Sequence, residues 1–239
     1  LLITGCCIGA GMLGLPVISA LTGFKPSLVM FFVSWLFMTS TALLLLEVNL
    51  WFSSEVSIVS MAGRTLGIAG KIVSWLCFLF LFYALGVAYI AGSGELIANV
   101  IQEVFHVSMA HWIGSLTISL LFGVFVYLGT RAVDIFNRFL MSGLIATYLL
   151  LVILGGPHVR SENLTFANWS AAPFVLPVMI ISFGFHNLIP SLSTYLQWDL
   201  KRLRWAIIGG SLLALMIYIV WEWLILGLVP AQNHGDIKQ

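Results

Sequence analysis

Two short stretches set backbone-breaking residues beside groups able to do chemistry: "IGAGMLGLP" at 8–16 and "SFGFHNLIPS" at 182–191. Gly9, Gly11 and Gly14 spell G-x-G-x-x-G, the spacing of a dinucleotide-binding turn. That turn needs a strand before the glycines and an uninterrupted helix after them. Here Pro16 falls inside the would-be helix and both flanks are apolar, so the dinucleotide reading is rejected. Close packing of membrane helices accounts for the glycines alone. Glycines followed by a proline fit better with a helix that breaks in mid-membrane, with proline in the first turn of the restarting half, where its missing N–H costs nothing.

A broken helix offers free N–H groups and a positive dipole end to a carboxylate. It offers free carbonyls to an ammonium. Together these ends suit a zwitterion, and an α-amino acid is the simplest ligand with that charge pattern. The candidate substrate contacts are Gly9, Ala10, Gly11 and Met12 in the first stretch and Ser182, Phe183, Gly184, Phe185 and His186 in the second. Gly14, Pro16 and Pro190 are the expected break residues. Tyr83 and Tyr89 lie in a third apolar run, and Tyr89 joins the candidates as a wall for a ring-shaped substrate.

Ionisable residues inside the apolar runs are the next signal, because a carboxylate at the bilayer centre costs about 2.5–3.5 kcal/mol on insertion scales. Glu95 in "AGSGELIA" and His186 in the second stretch are the candidates for carrying a proton. A neutral glutamic acid hydrogen-bonded between helices fits Glu95 equally, with Gly92, Ser93 and Gly94 admitting a close neighbour. Glu47 reads as interfacial, and Glu222 is left undecided. Ser93 and His186 together suggest an intramembrane serine protease, a reading that leaves the paired breaks unexplained. Cys6, Cys7 and Cys77 lack metal-ligand spacing and read as small apolar fillers, so no metal and no cofactor is expected.

The elements that must hold these groups are membrane helices. Apolar residues make up 61% of the 239 and charged residues 8%, against about 25% charged in a soluble domain. The mean hydropathy is +1.08. The net charge of +1 points to no nucleic-acid partner; the lipid bilayer is the solvent. Seven runs are long enough to cross about 30 Å of hydrocarbon, at 2–21, 28–52, 73–100, 113–128, 139–154, 174–196 and 205–229. With the N-terminus cytoplasmic, the inner loops hold Arg64, Lys71, Arg131, Arg138, Lys201, Arg202 and Arg204, and the outer ones only Lys25, Arg160 and Lys238. That bias favours the N-terminus inside.

Runs one and six lie five crossings apart and so traverse the bilayer in opposite directions. Two interrupted spans in matching places of two antiparallel halves are the signature of an inverted-repeat transporter. A seven-helix photoreceptor would need a lysine in its last span, and 205–229 has none.

The stretches at 8–16, "TALLLLEV" at 41–48, "YIAGSGELIA" at 89–98, "VDIFNRFL" at 133–140, 182–191 and "KRLRW" at 201–205 together resemble the bacterial hydroxy/aromatic amino acid permease family of the amino acid-polyamine-organocation superfamily. The resemblance implies an all-α, leucine-transporter-like 5+5 inverted repeat of about eleven spans, truncated here to about seven with helices 1 and 6 broken. It implies proton-coupled symport of an aromatic amino acid, tyrosine first, across the bacterial inner membrane by alternating access, and no enzymatic activity. Residues 1–155 would then be the first repeat, and 156–239 the opening helices of the second, with its C-terminal part missing. Cys6 and Cys7 stand where relatives more often carry hydroxyl residues, which argues against a hydroxyl-based ion site there.

Overall fold

The computed structural model describes residues 2–8, 10–52 and 56–229, the side chains of residues 10, 11, 13 and 130 aside. Every regular element among them is helical: α1 Leu2–Cys7, α2 Ala10–Ser19, α3 Phe24–Leu50, α4 Ile58–Phe105, α5 His111–Tyr127, α6 Thr130–Gly155, α7 Ala172–Ser182, α8 Ile189–Tyr195 and α9 Leu200–Leu228. Short 3-10 turns occupy Gly156–His158, Ser161–Thr165 and His186–Leu188. Among the described residues five segments are long and apolar enough to cross a membrane: Phe24–Leu50, Ile58–Phe105, Arg131–His158, Ala172–Tyr195 and Leu200–Leu228. The chain is a multi-pass membrane protein. Its first apolar run is divided into α1 and α2, and His111–Tyr127 is a shorter apolar helix.

Local chemistry sets the helix ends. Asp199 caps α9, its carboxylate accepting from the backbone N–H of Lys201 at 3.0 Å and of Arg202 at 3.1 Å, and it also pairs with the Arg202 guanidinium. The Ser57 hydroxyl accepts from the Ser60 N–H at 3.2 Å and starts α4. The chain between the apolar runs at 28–52 and 73–100 is therefore helical from Ile58, and it turns at Gly67, whose φ of 74° suits only glycine comfortably. Residues 53–55 lie outside the described residues.

The chain packs as two units. One comprises Leu1–Thr65 and Leu150–Gln239, the other Leu66–Leu149. Packing thus divides the chain differently from the repeat boundary drawn at residue 155. In the first unit α3 lies against α7, α8 and α9, and α9 lies against α1 and α2. Phe31, Leu46, Met179, Ile189, Leu203, Ile207 and Tyr218 form its buried core. The 156–170 connection is sewn onto this unit: Asn163 Nδ2 donates to the Gly227 carbonyl at 2.8 Å, and the Asn168 N–H donates to that of Thr22 at 2.8 Å. In the second unit α4 and α5 cross where Gly94 meets Gly114; a Cβ on Gly94 would stand 2.6 Å from the Ser115 nitrogen.

Candidate functional site

Both interruptions are present. α1 ends at Cys7 and α2 begins at Ala10. Gly9 lies outside the described residues. The break therefore precedes the place assigned to it from sequence: Gly14 and Pro16 sit inside α2 rather than in its first turn. The physical consequence is specific. Proline has no N–H, so the carbonyl four residues earlier, that of Met12, loses its helical donor. Trp221 of α9 supplies the replacement, its Nε1 donating to the Met12 carbonyl at 2.7 Å.

The second interruption runs from Phe183 to Leu188. α7 ends at Ser182, Phe183 and Phe185 leave helical geometry, and His186–Leu188 form a 3-10 turn before α8. Pro190 falls in the first turn of α8, the position expected of it. Gly184 is needed for closeness, since a Cβ there would meet the Ile181 carbonyl oxygen at 2.8 Å.

Tyr218 of α9 brings the two breaks together. Its hydroxyl lies on the Cys7 carbonyl, the end of α1, and 3.0 Å from the Ser182 carbonyl, the end of α7. Its ring stacks on Phe31 at 5.9 Å and meets Phe183 edge-on at 5.4 Å. Cys6 adds a second link, its thiol 4.0 Å from the Gly184 carbonyl. Two of the carbonyls expected to be free for an ammonium are thus occupied by a phenol. Phe183 and Phe185 are fully buried, packed into the protein rather than lining an open wall.

His186 is half-buried on this surface, its ring stacked on that of Phe185 at 5.5 Å with a tilt of 28°. Its Nε2 lies 2.9 Å from the Thr41 hydroxyl of α3. Thr41 has one proton, and its oxygen is 3.0 Å from the Phe37 carbonyl, which can only accept. With that proton on the carbonyl, Nε2 carries the imidazole hydrogen and Nδ1 keeps its lone pair. Ser182 turns its hydroxyl back to the Val178 carbonyl at 2.8 Å, which leaves the backbone of the break as its contribution.

The remaining candidates fall in different surroundings. Met12 is buried and acts through its carbonyl. Of Ala10 and Gly11 only the helical backbone is described. Tyr89, Ser93 and Glu95 belong to the second unit, where Tyr89 and Glu95 are exposed. Glu222 is fully buried in the first unit and accepts from the Ser19 hydroxyl at 3.0 Å. Sequence reasoning passed over Thr41, Tyr218 and Trp221. The available signal was the set of polar atoms at Tyr218, Trp221 and Glu222, three and four residues apart in an otherwise apolar run and hence on one helical face.

Comparison with known proteins gives a family and several relatives. A family model described as the tryptophan/tyrosine permease family matches residues 1–239. A tyrosine-specific transport system 1 of Haemophilus influenzae is 35% identical, covering 100% of this chain and 57% of the relative. A tryptophan-specific transport protein of the same organism is 32% identical, with 99% and 60% covered. A glutamine transporter 2 of Aliivibrio fischeri is 29% identical, with 98% and 61% covered. The chain thus spans about three-fifths of the length of these relatives. All three carry the names of transport proteins rather than of enzymes. No solved structure matches the chain.

Proposed function

Because the chain belongs to the tryptophan/tyrosine permease family, we propose that its gene product is a secondary transporter carrying an aromatic amino acid, tyrosine first, with a proton across the bacterial inner membrane. The fold in this reading is a leucine-transporter-like inverted repeat. Residues 1–155 form the first repeat and 156–239 open the second, with the N-terminus cytoplasmic as the basic residues favour.

The observation that supports it most is the Tyr218 hydroxyl, in contact with both the Cys7 and the Ser182 carbonyls. Two helices broken at one depth and touching through one phenol give a single place with peptide dipoles of both signs. Substrate binds against the two breaks, its carboxylate at the N-terminal end of α2 and its ammonium at the carbonyls that Tyr218 does not hold. His186 meets the substrate or the proton through Nδ1. The helices expected to rock are runs one, two, six and seven, and these four pack as one unit, which suits a moving bundle.

The test is uptake of labelled tyrosine, tryptophan, phenylalanine and glutamine by the full-length gene product in proteoliposomes, with a pH or a sodium gradient imposed separately. Tyrosine should accumulate under an inside-alkaline gradient and not under sodium alone. Preferential glutamine uptake would overturn the substrate, and sodium drive the coupling ion. The site itself is read with Cys6, which is exposed at the first break while Cys7 is buried. In a Cys77→Ser background, with any further accessible cysteines replaced, saturating tyrosine should protect Cys6 from alkylation. Unchanged labelling would remove the substrate from the breaks.

A further inference from the structure

We propose that Glu222, in its bond to Ser19, is a proton-binding site of this protein, a role not given to it by any of the preceding observations and one that rests on the proton-coupled reading above. Its side chain is fully buried in the α2–α9 seam. Oε1 accepts from the Ser19 hydroxyl at 3.0 Å, and Oε2 has no hydrogen-bond partner among the described residues.

Among the described residues the surroundings supply no positive charge. α2 carries no ionisable side chain, and α1 only Cys6 and Cys7. On α3, Lys25 and Glu47 are both exposed, as are His158, Arg160 and Glu162 of the connection that packs on α9. On α9 itself Lys201, Arg202 and Arg204 lie at the far end, and Tyr218, one turn away, points its hydroxyl to the breaks. A carboxylate with one hydroxyl donor and no cation is costly in a dry interior, and a neutral acid, even with its own O–H unpaired, costs far less. The Ser19 hydroxyl is the hydrogen-bond donor found for the carboxyl among the described residues, and a proton neutralises the group with no further partner. A proton is the ligand that fits.

The location gives the proton a consequence. Glu222 and Tyr218 are four residues apart on one face of α9, so one helix touches both breaks and the proton site. With the proton on, the seam between α2 and α9 stays dry and closed. Once the proton leaves, the charge favours the arrangement that admits water between them. Protonation and closure are thereby linked, each stabilising the other.

The experiment compares wild type with Glu222→Gln in the full-length gene product in proteoliposomes. The amide keeps the shape of the neutral acid but carries no titratable proton. Tyrosine exchange without a gradient should stay within about twofold of wild type, and accumulation under a pH gradient should fall about tenfold or more. Wild-type accumulation by the variant overturns the proposal. Infrared difference spectra at neutral pH should show the carbonyl band of a protonated carboxylic acid in wild type and not in Glu222→Gln; no such band overturns it too. Should Glu222→Gln not fold, Ser19→Ala keeps the carboxyl and should shift both that band and the pH profile of uptake, and neither moving overturns it. If wild-type uptake ignores the pH gradient altogether, the proton-coupled reading fails, and the infrared band alone decides whether Glu222 holds a proton.

Discussion

Trp221 donates its indole N–H to the carbonyl of Met12, the acceptor deprived of a helical partner by the proline at position 16. The vacancy made on one helix is filled from another, so the pair ties α2 to α9 just beyond the first break.

Trp221→Phe leaves that carbonyl without its indole donor and should cost about 1–3 kcal/mol. In a Pro16→Ala background the Met12 carbonyl regains a backbone N–H, and the penalty should shrink by about 1 kcal/mol. Thermal unfolding of the four proteins in lipid nanodiscs closes the cycle. Equal penalties in both backgrounds would show that the proline and the indole act separately.

Tyr218→Phe keeps the ring contacts with Phe31 and Phe183 but removes the hydroxyl shared by the two breaks. The loosened ends should raise the alkylation rate of Cys6 about threefold or more, as local opening becomes easier. A rate equal to wild type would mean that packing alone holds the breaks together.

His186→Ala should lower tyrosine uptake about tenfold or more if the imidazole meets substrate or proton. Thr41→Val frees Nε2 of its 2.9 Å partner and leaves the ring untethered, so a smaller loss, about threefold, is expected. A valine variant with wild-type KM and kcat would show that ring orientation does not matter.

Gly94→Ala drives a methyl toward the backbone of Ser115, which cannot yield without separating α4 from α5. A loss of about 1–3 kcal/mol is expected. Gly92→Ala, with nothing within 4 Å of its Cβ position, should be nearly neutral. Thermal stability of the pair separates a packing role for this glycine pair from a conformational one.

The amino-acid sequence by itself determined that this chain lives in lipid, that it is helical, and that its first and sixth apolar runs are interrupted. Those are local properties: hydropathy selects the solvent, and glycine and proline act within a few residues of themselves. Even there the register of the first break is not legible, because Pro16 reads as the start of a helix and lies within one. Tertiary structure alone decided that the two breaks meet, that Tyr218 holds both, that Trp221 repairs the bond missing at Met12, and that Glu222 is buried while Glu95 is exposed. Each of these joins residues far apart in the chain. Beyond the few polar atoms at Tyr218, Trp221 and Glu222, a span surrounded by apolar neighbours has no period by which sequence can tell its protein-facing side from its lipid-facing side, since both are apolar. Only the packing of α9 against α1, α2 and α3 makes that choice.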